Sequence, residues 1–309
     1  MGLTSGYILG GSIPGIRYPS AALEDGLLDL FPAQFALSAA RLLTKTYSGP
    51  AMKVRRSSDN AVLDIPFIGG VLDEVALLAH TGSGSGYVHT LYDPTGNGHD
   101  AIQTTAVSQP RIVNAGVVEK FNGIPAMFFD GVDDYLDSGT IAGGTKPANF
   151  STFSVYTITD VNRNDTVFAS ANTAAAGETI YANITNTSSQ SGKMNYVFSD
   201  GVEKRNVRSN VAIISAATQY LDVRTYANGD SAMKLYLDDS SEIAQGTSSG
   251  IATSNGGTEF KFTIGRFGEF NGHYHKGYVQ EIVVFLSDES TNRVAIRDNI
   301  NTFFSVFTP

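Results

Sequence analysis

The chain has 309 residues, 30 acidic against 21 basic side chains, a formal net charge of −9, and neither cysteine nor tryptophan. No basic run exceeds a pair such as Arg55-Arg56, so nucleic acid is not an expected partner. The missing cysteine removes disulfide frameworks, thiol nucleophiles and thiolate zinc sites. Charged residues make up 17% and glycine 32 of 309, a strand-and-turn composition long enough for one large β domain.

Taken in chain order, residues 1–32 are glycine-rich and broken by Pro14 and Pro19, which predicts an extended arm. The arm has no basic and apolar leader pattern, so no secretory signal is expected. No span reaches the roughly 18 apolar residues of a membrane helix, so no membrane insertion is expected. Next, "AQFALSAARLLTKTY" sets Phe35, Ala39, Leu42, Leu43 and Tyr47 at helical spacing before a Gly-Pro stop, predicting a helix over 33–47. A second short helix is predicted over Leu72–His80, ended by "TGSGSG".

Beyond it, short aromatic and β-branched segments alternate with Gly, Asn, Asp and Ser clusters, the pattern of a β-sandwich. They include "PAMFFDG", "FSVYTITDV", "AIISAATQYLDVRTY", "AMKLYLDD", "FKFTIGRF" and "GYVQEIVVFL". Asn228-Gly229 predicts a two-residue hairpin turn. A last helix follows Ser287 or Asp288 as its cap, with Ile296, Ile300, Phe303 and Phe307 in one stripe.

In their order, "FNGIPAMFFDGVDDYLDSG", "KLYLDDSSEIA" and "FTIGRFGEFNGHYHKGYVQEIVVFLSDES" plus the helix resemble the laminin-G-like or concanavalin A-like lectin/glucanase jelly roll. The upstream "SAARLLTKTYSGPAMKVRRSSDNAVLDI" and "GYVHTLYDPTGNGHDAIQTTAVSQPRIV" are similar to the front half of the α-L-arabinofuranosidase B catalytic domain. Segments of this kind also look like those of bacteriophage tail and virion surface proteins. The resemblance implies an all-β concanavalin A-like sandwich over 33–309, with a few short helices and the arm 1–32 in front. It implies a structural protein of a phage virion, in a tail, fibre or capsid-decorating role. Such a protein would dock on other virion proteins through the arm, form a homo-oligomer and meet surface glycans. The alternatives are an arabinofuranosidase-like glycoside hydrolase and a bacterial surface carbohydrate-binding protein.

Three sets of residues could carry chemistry. A glycan platform needs aromatic faces beside fixed polar groups, and "GRFGEFNGHYHKGY" gathers Arg266, Phe267, Phe270, Asn271, His273 and Tyr274. A hydrolase needs two opposed carboxylates. The positions nearest those that the arabinofuranosidase resemblance implies are Glu203 and Glu269. Calcium, the one cofactor to consider, needs several hard oxygens, offered by Asp130, Asp133 and Asp134, or by Asp93, Asn97 and Asp100. Asp and Asn before Gly are also ordinary turn formers.

Overall fold

The computed structural model describes residues 26–143, 149–172, 178–185, 192–200, 204–227, 233–239, 241–246, 259–267 and 273–308. Within the predicted arm, α1 (Leu27–Leu30) buries Leu27 and Leu28. Strands β1 (Phe35–Ser38), β2 (Met52–Arg56) and β3 (Val62–Ile65) follow. Helix α2 (Glu74–Thr81) starts where the Asp73 carboxylate accepts the Ala76 N–H, as an N-cap should.

The chain continues through β4 (Gly86–Leu91), β5 (Ala101–Ile102), β6 (Arg111–Asn114), β7 (Met127–Asp130) and β8 (Leu136–Gly143). Then come β9 (Phe150–Ile158), β10 (Asp165–Asn172), β11 (Glu178–Thr185), β12 (Lys193–Asp200) and β13 (Lys204–Arg208). The last strands are β14 (Gln219–Tyr226), β15 (Met233–Leu237), β16 (Ala244–Gly246), β17 (Glu259–Ile264) and β18 (Lys276–Phe285), before helix α3 (Arg293–Phe304).

The pairings resolve into two antiparallel layers. One runs β3-β2-β4-β6-β7-β18-β9-β14-β15-β16, with β1 beside β7 on the same edge of β18. The other runs β5-β8-β17-β10-β11-β12-β13. Strand β5 also pairs with β4 and joins the layers. This is the β-sandwich jelly roll the sequence predicts.

The core explains the sequence pattern. Phe150, Tyr156 and Ile158 of β9 face inward with Phe129, Phe168, Tyr196, Tyr226 and Phe262. Phe153 and Val155 face the other way, with Leu221, Val223, Val283 and Phe285, under Leu27 of α1 and Ile296, Ile300 and Phe303 of α3. All nine residues of β9 are therefore buried, Ser151, Thr152, Ser154 and Thr157 included. Among the described residues no helix is long and apolar enough to cross a membrane.

Three local expectations change. Residues 33–47 are not a helix: Phe35, Leu37 and Ala39 enter the inner core while Ala36, Ala40 and Leu43 enter the outer one. Helical spacing there was a strand buried on both faces and paired to β18, and tertiary packing overrides helix propensity. Helix α3 starts at Asn292 rather than Ser287 or Asp288, because the Asp288 carboxylate is used by the Ser290 N–H in a preceding turn. Phe307 lies beyond that helix, partly buried against the same cluster. The hairpin strands around Asn228-Gly229 pair as predicted; the turn itself lies outside the described residues.

Candidate functional site at the 130–135 and 265–276 loop end

Three segments distant in sequence meet at one end of the sandwich. Register places Asp130 opposite Lys276 and Leu136 opposite Ile264, so the turn 131–135 lies on the same side as residues 265–267 and 273–275. Arg163, in the loop between β9 and β10, locks them together: its Nη2 donates to the Gly131 carbonyl at 2.6 Å and the Tyr274 carbonyl at 2.9 Å. Gly265 has φ +86°, and a Cβ there would sit 2.5 Å from the Phe129 ring and 3.1 Å from the Asp134 carbonyl. Only glycine allows both that conformation and that approach.

The acidic turn is tightly built. Asp130 Oδ1 accepts the Val132 N–H at 2.7 Å, Asp134 Oδ2 accepts the Asp130 N–H at 2.9 Å, and Asp133 Oδ2 accepts the Ser108 hydroxyl at 3.1 Å. One oxygen from each carboxylate lies within 4.8 Å of the others. Burial pushes the Asp134 carboxyl up to about 7, and the charges of Asp130 and Asp133 add to it against a backbone hydrogen bond. Three gathered carboxylates supply part of the six to eight oxygens a calcium ion takes, leaving the rest to backbone, water or a ligand. The other calcium set is closed: Asp93 spends its carboxylate on the N–H groups of Ala36, Thr95 and His99 and on the Thr95 hydroxyl, a turn of its own.

On the aromatic side, the Arg266 guanidinium lies over the Tyr135 ring, 3.5 Å from its centroid. Phe267 and His273 form a tilted ring pair at 5.8 Å. His273 takes φ +56° and is anchored by its carbonyl, which accepts the Thr166 N–H at 3.1 Å. Burial lowers the tendency of its imidazole to protonate, as does the Arg163 charge, against Asp165. Through Arg163 the acidic turn is tied to Tyr274, and Arg266 stacks on Tyr135 beside that turn, whereas Phe267 packs on Ala169, Val197 and the His273 ring. Phe270, Asn271, Glu203 and Glu269 lie outside the described residues.

Three buried charge clusters were not singled out in the sequence. His275 Nδ1 meets Asp165 Oδ1 at 2.6 Å with both side chains fully buried, and Asp165 Oδ2 also accepts the Lys276 N–H. Inside the sandwich Asp222 and Arg224 pair through Nε–Oδ contacts of 2.9 Å, Tyr156 donates to Asp222 at 3.2 Å, and Arg224 Nη1 donates to the Asn195 carbonyl at 2.6 Å. An acid and a base two apart in a predicted strand share a face; "LDVRT" carried that signal. On the helix-covered face, Glu281 is buried against Arg41 at 2.6 Å.

No protein-family model and no curated protein sequence matches the chain. Among solved structures it is similar to a GH54 α-L-arabinofuranosidase soaked with 4-nitrophenyl α-L-arabinofuranoside, at TM-score 0.61 and 16% identity over 89% of this chain. The same enzyme type with a cyclic sulfate inhibitor gives 0.57, and an arabinofuranosidase complexed with arabinofuranosyl-α-1,2-xylobiose gives 0.53, both at 16% identity over 89% of this chain. The chain spans 64% of the length of each of these structures. At this identity the likeness establishes a shared β-sandwich fold.

Proposed function

We propose that the chain is a carbohydrate-binding β-sandwich that takes its glycan at the 130–135 and 265–276 loop end, on a virion surface. The observation supporting this reading is the Arg266–Tyr135 stack beside three gathered carboxylates, with Arg163 tying that turn to the chain at Tyr274 and the Phe267–His273 ring pair next to it in sequence. Aromatic faces next to fixed polar groups are what sugar recognition requires. The virion setting rests on the sequence resemblance, with the N-terminal arm 1–32 docking on other virion proteins and the chain assembling as a homo-oligomer; light scattering of the purified chain tests the last point.

Arabinofuranosidase-like hydrolysis is the second reading, favoured by the fold shared with those enzymes. It needs two free carboxylates facing each other, roughly 5–10 Å apart. Among the described residues the fully buried acids are engaged: Asp222 with Arg224, Asp165 with His275, and Glu281 with Arg41. Binding is the better-supported function. The test is a glycan array probed with the full chain, with each hit and 4-nitrophenyl α-L-arabinofuranoside then incubated and assayed for cleavage. Binding without cleavage is expected, and nitrophenol release would move the function to hydrolysis.

A further inference from the structure

Cross-strand register sets five side chains in one row over five adjacent strands. Arg55 of β2 stands opposite Tyr87 of β4, Tyr87 opposite Arg111 of β6, Arg111 opposite Phe128 of β7, and Phe128 opposite Tyr278 of β18. Their chain neighbours Val54, Val88, Ile112, Met127 and Val279 enter the inner core, so by strand alternation the row points outward. All five are part-exposed. With strands about 4.8 Å apart, the row is about 19 Å long. Helices α1 and α3 cover the same layer only further along, over Phe153, Val223 and Val283.

Within the row, guanidiniums and rings alternate. Arg55 lies 4.6 Å from the Tyr87 centroid, Arg111 4.9 Å from the Phe128 centroid, and the Phe128 and Tyr278 rings are 5.2 Å apart. The arginines are satisfied inside the chain: Arg111 pairs with Glu119, while Arg55 spends its donors on the Gln109 and Asn60 side chains and the Ala106 carbonyl. They brace the rings, and the row offers a ligand part-exposed aromatic surface between fixed polar groups. That surface suits the C–H faces of sugars and lacks the basic excess a nucleic-acid backbone needs. The row also runs into the loop end: Asp130 and Lys276 pair two residues beyond Phe128 and Tyr278, on the same outward face, and Asp130 opens the acidic turn. We infer that the ligand is a linear oligosaccharide chain, with one unit at the loop end and the following units laid across the strands on Tyr278, Phe128 and Tyr87. This rests on the glycan-binding reading above and adds the ligand class to it, an extended chain in place of a single terminal sugar.

The test is an array of cello-, xylo-, arabino- and galacto-oligosaccharides of two to eight units probed with the full chain, followed by calorimetric titration of the tightest series. Affinity is expected to rise about tenfold or more from the dimer to the hexamer, the scale of two further aromatic contacts. A Tyr87→Thr, Phe128→Thr double variant, which keeps strand-forming residues at both positions, should still melt cooperatively, bind the dimer as before and lose the rise with length. Arg293→Gln is the control; it removes a stacked guanidinium elsewhere, 3.9 Å over Tyr236 at the start of α3, and should leave the rise intact. Equal affinity for dimer and hexamer, or a double variant that keeps the rise, overturns the inference and leaves glycan binding at the loop end standing. Binding to no oligosaccharide of any length overturns both.

Discussion

Asp222 and Arg224 stand two residues apart on β14 and close an ion pair in the sandwich interior, with both side chains fully buried. Tyr156 and the Asn195 carbonyl complete the coordination. Removing one partner leaves an uncompensated buried charge, which costs about 3–5 kcal/mol. Arg224→Met should therefore destabilise the fold by that amount in urea denaturation. The double variant Asp222→Leu with Arg224→Met should lose less than Arg224→Met alone. A double variant as unstable as the sum of its single changes would show that the two residues do not act as a pair.

The hinge of the loop end is Gly265. With φ +86° and the Phe129 ring where a Cβ would go, Gly265→Ala meets both backbone strain and a clash, a loss of about 2 kcal/mol or more. Thermal unfolding reads it, and glycan affinity should fall with it because Arg266 follows directly. Unchanged stability would mean that the backbone at 265 can adopt another conformation.

Asp238 predicts a pH dependence. Its Oδ1 accepts the Leu221 N–H, and burial, with smaller contributions from Asp222 and Asp239, raises its carboxyl from the usual 3.8 to about 6. Since the folded value lies above the unfolded one, the folded state holds the proton more tightly. Its contribution is most favourable below about pH 4 and is lost as pH rises through about 6. Asp238→Asn keeps the acceptor and the φ of +54°, which Asn tolerates. It should gain about 1–2 kcal/mol at pH 8, after allowance for its partial exposure, and almost nothing at pH 4. A gain of equal size at both pH values would contradict the assignment.

The acidic turn makes a separate prediction. If Asp130, Asp133 and Asp134 hold calcium, millimolar calcium raises the melting temperature and magnesium, which demands stricter octahedral geometry, does so less. Asp133→Asn should abolish the effect while keeping the contact to Ser108. No calcium response at all would leave the cluster as a turn stabilised by its own hydrogen bonds.

Much of the sandwich was legible in the sequence, because aromatic and β-branched runs between turn residues survive as strands wherever one or both faces are buried. Strands β9, β14 and β18 fall on the segments read as strands, and α2 is found with Asp73 as its cap. The stretch 33–47 misled because Phe35, Ala36, Leu37, Ala39 and Ala40 are all buried, and an apolar run without a polar face fits either periodicity. Of the loop end, the acids and the aromatics were each visible as local clusters. Their meeting was not, since it depends on Arg163 reaching Gly131 across 32 positions and Tyr274 across 111. The Asp165–His275 pair, 110 residues apart, leaves no local pattern at all.

The most direct measurement of the central claim is hydrogen–deuterium exchange of the full chain with and without its tightest array glycan. Glycan binding at the loop end predicts new protection in 130–135, 163–166 and 265–275, lost together with binding in a Phe267→Ala, His273→Ala double variant that still melts cooperatively. Protection confined to other parts of the sandwich, or binding undiminished in that variant, would contradict it.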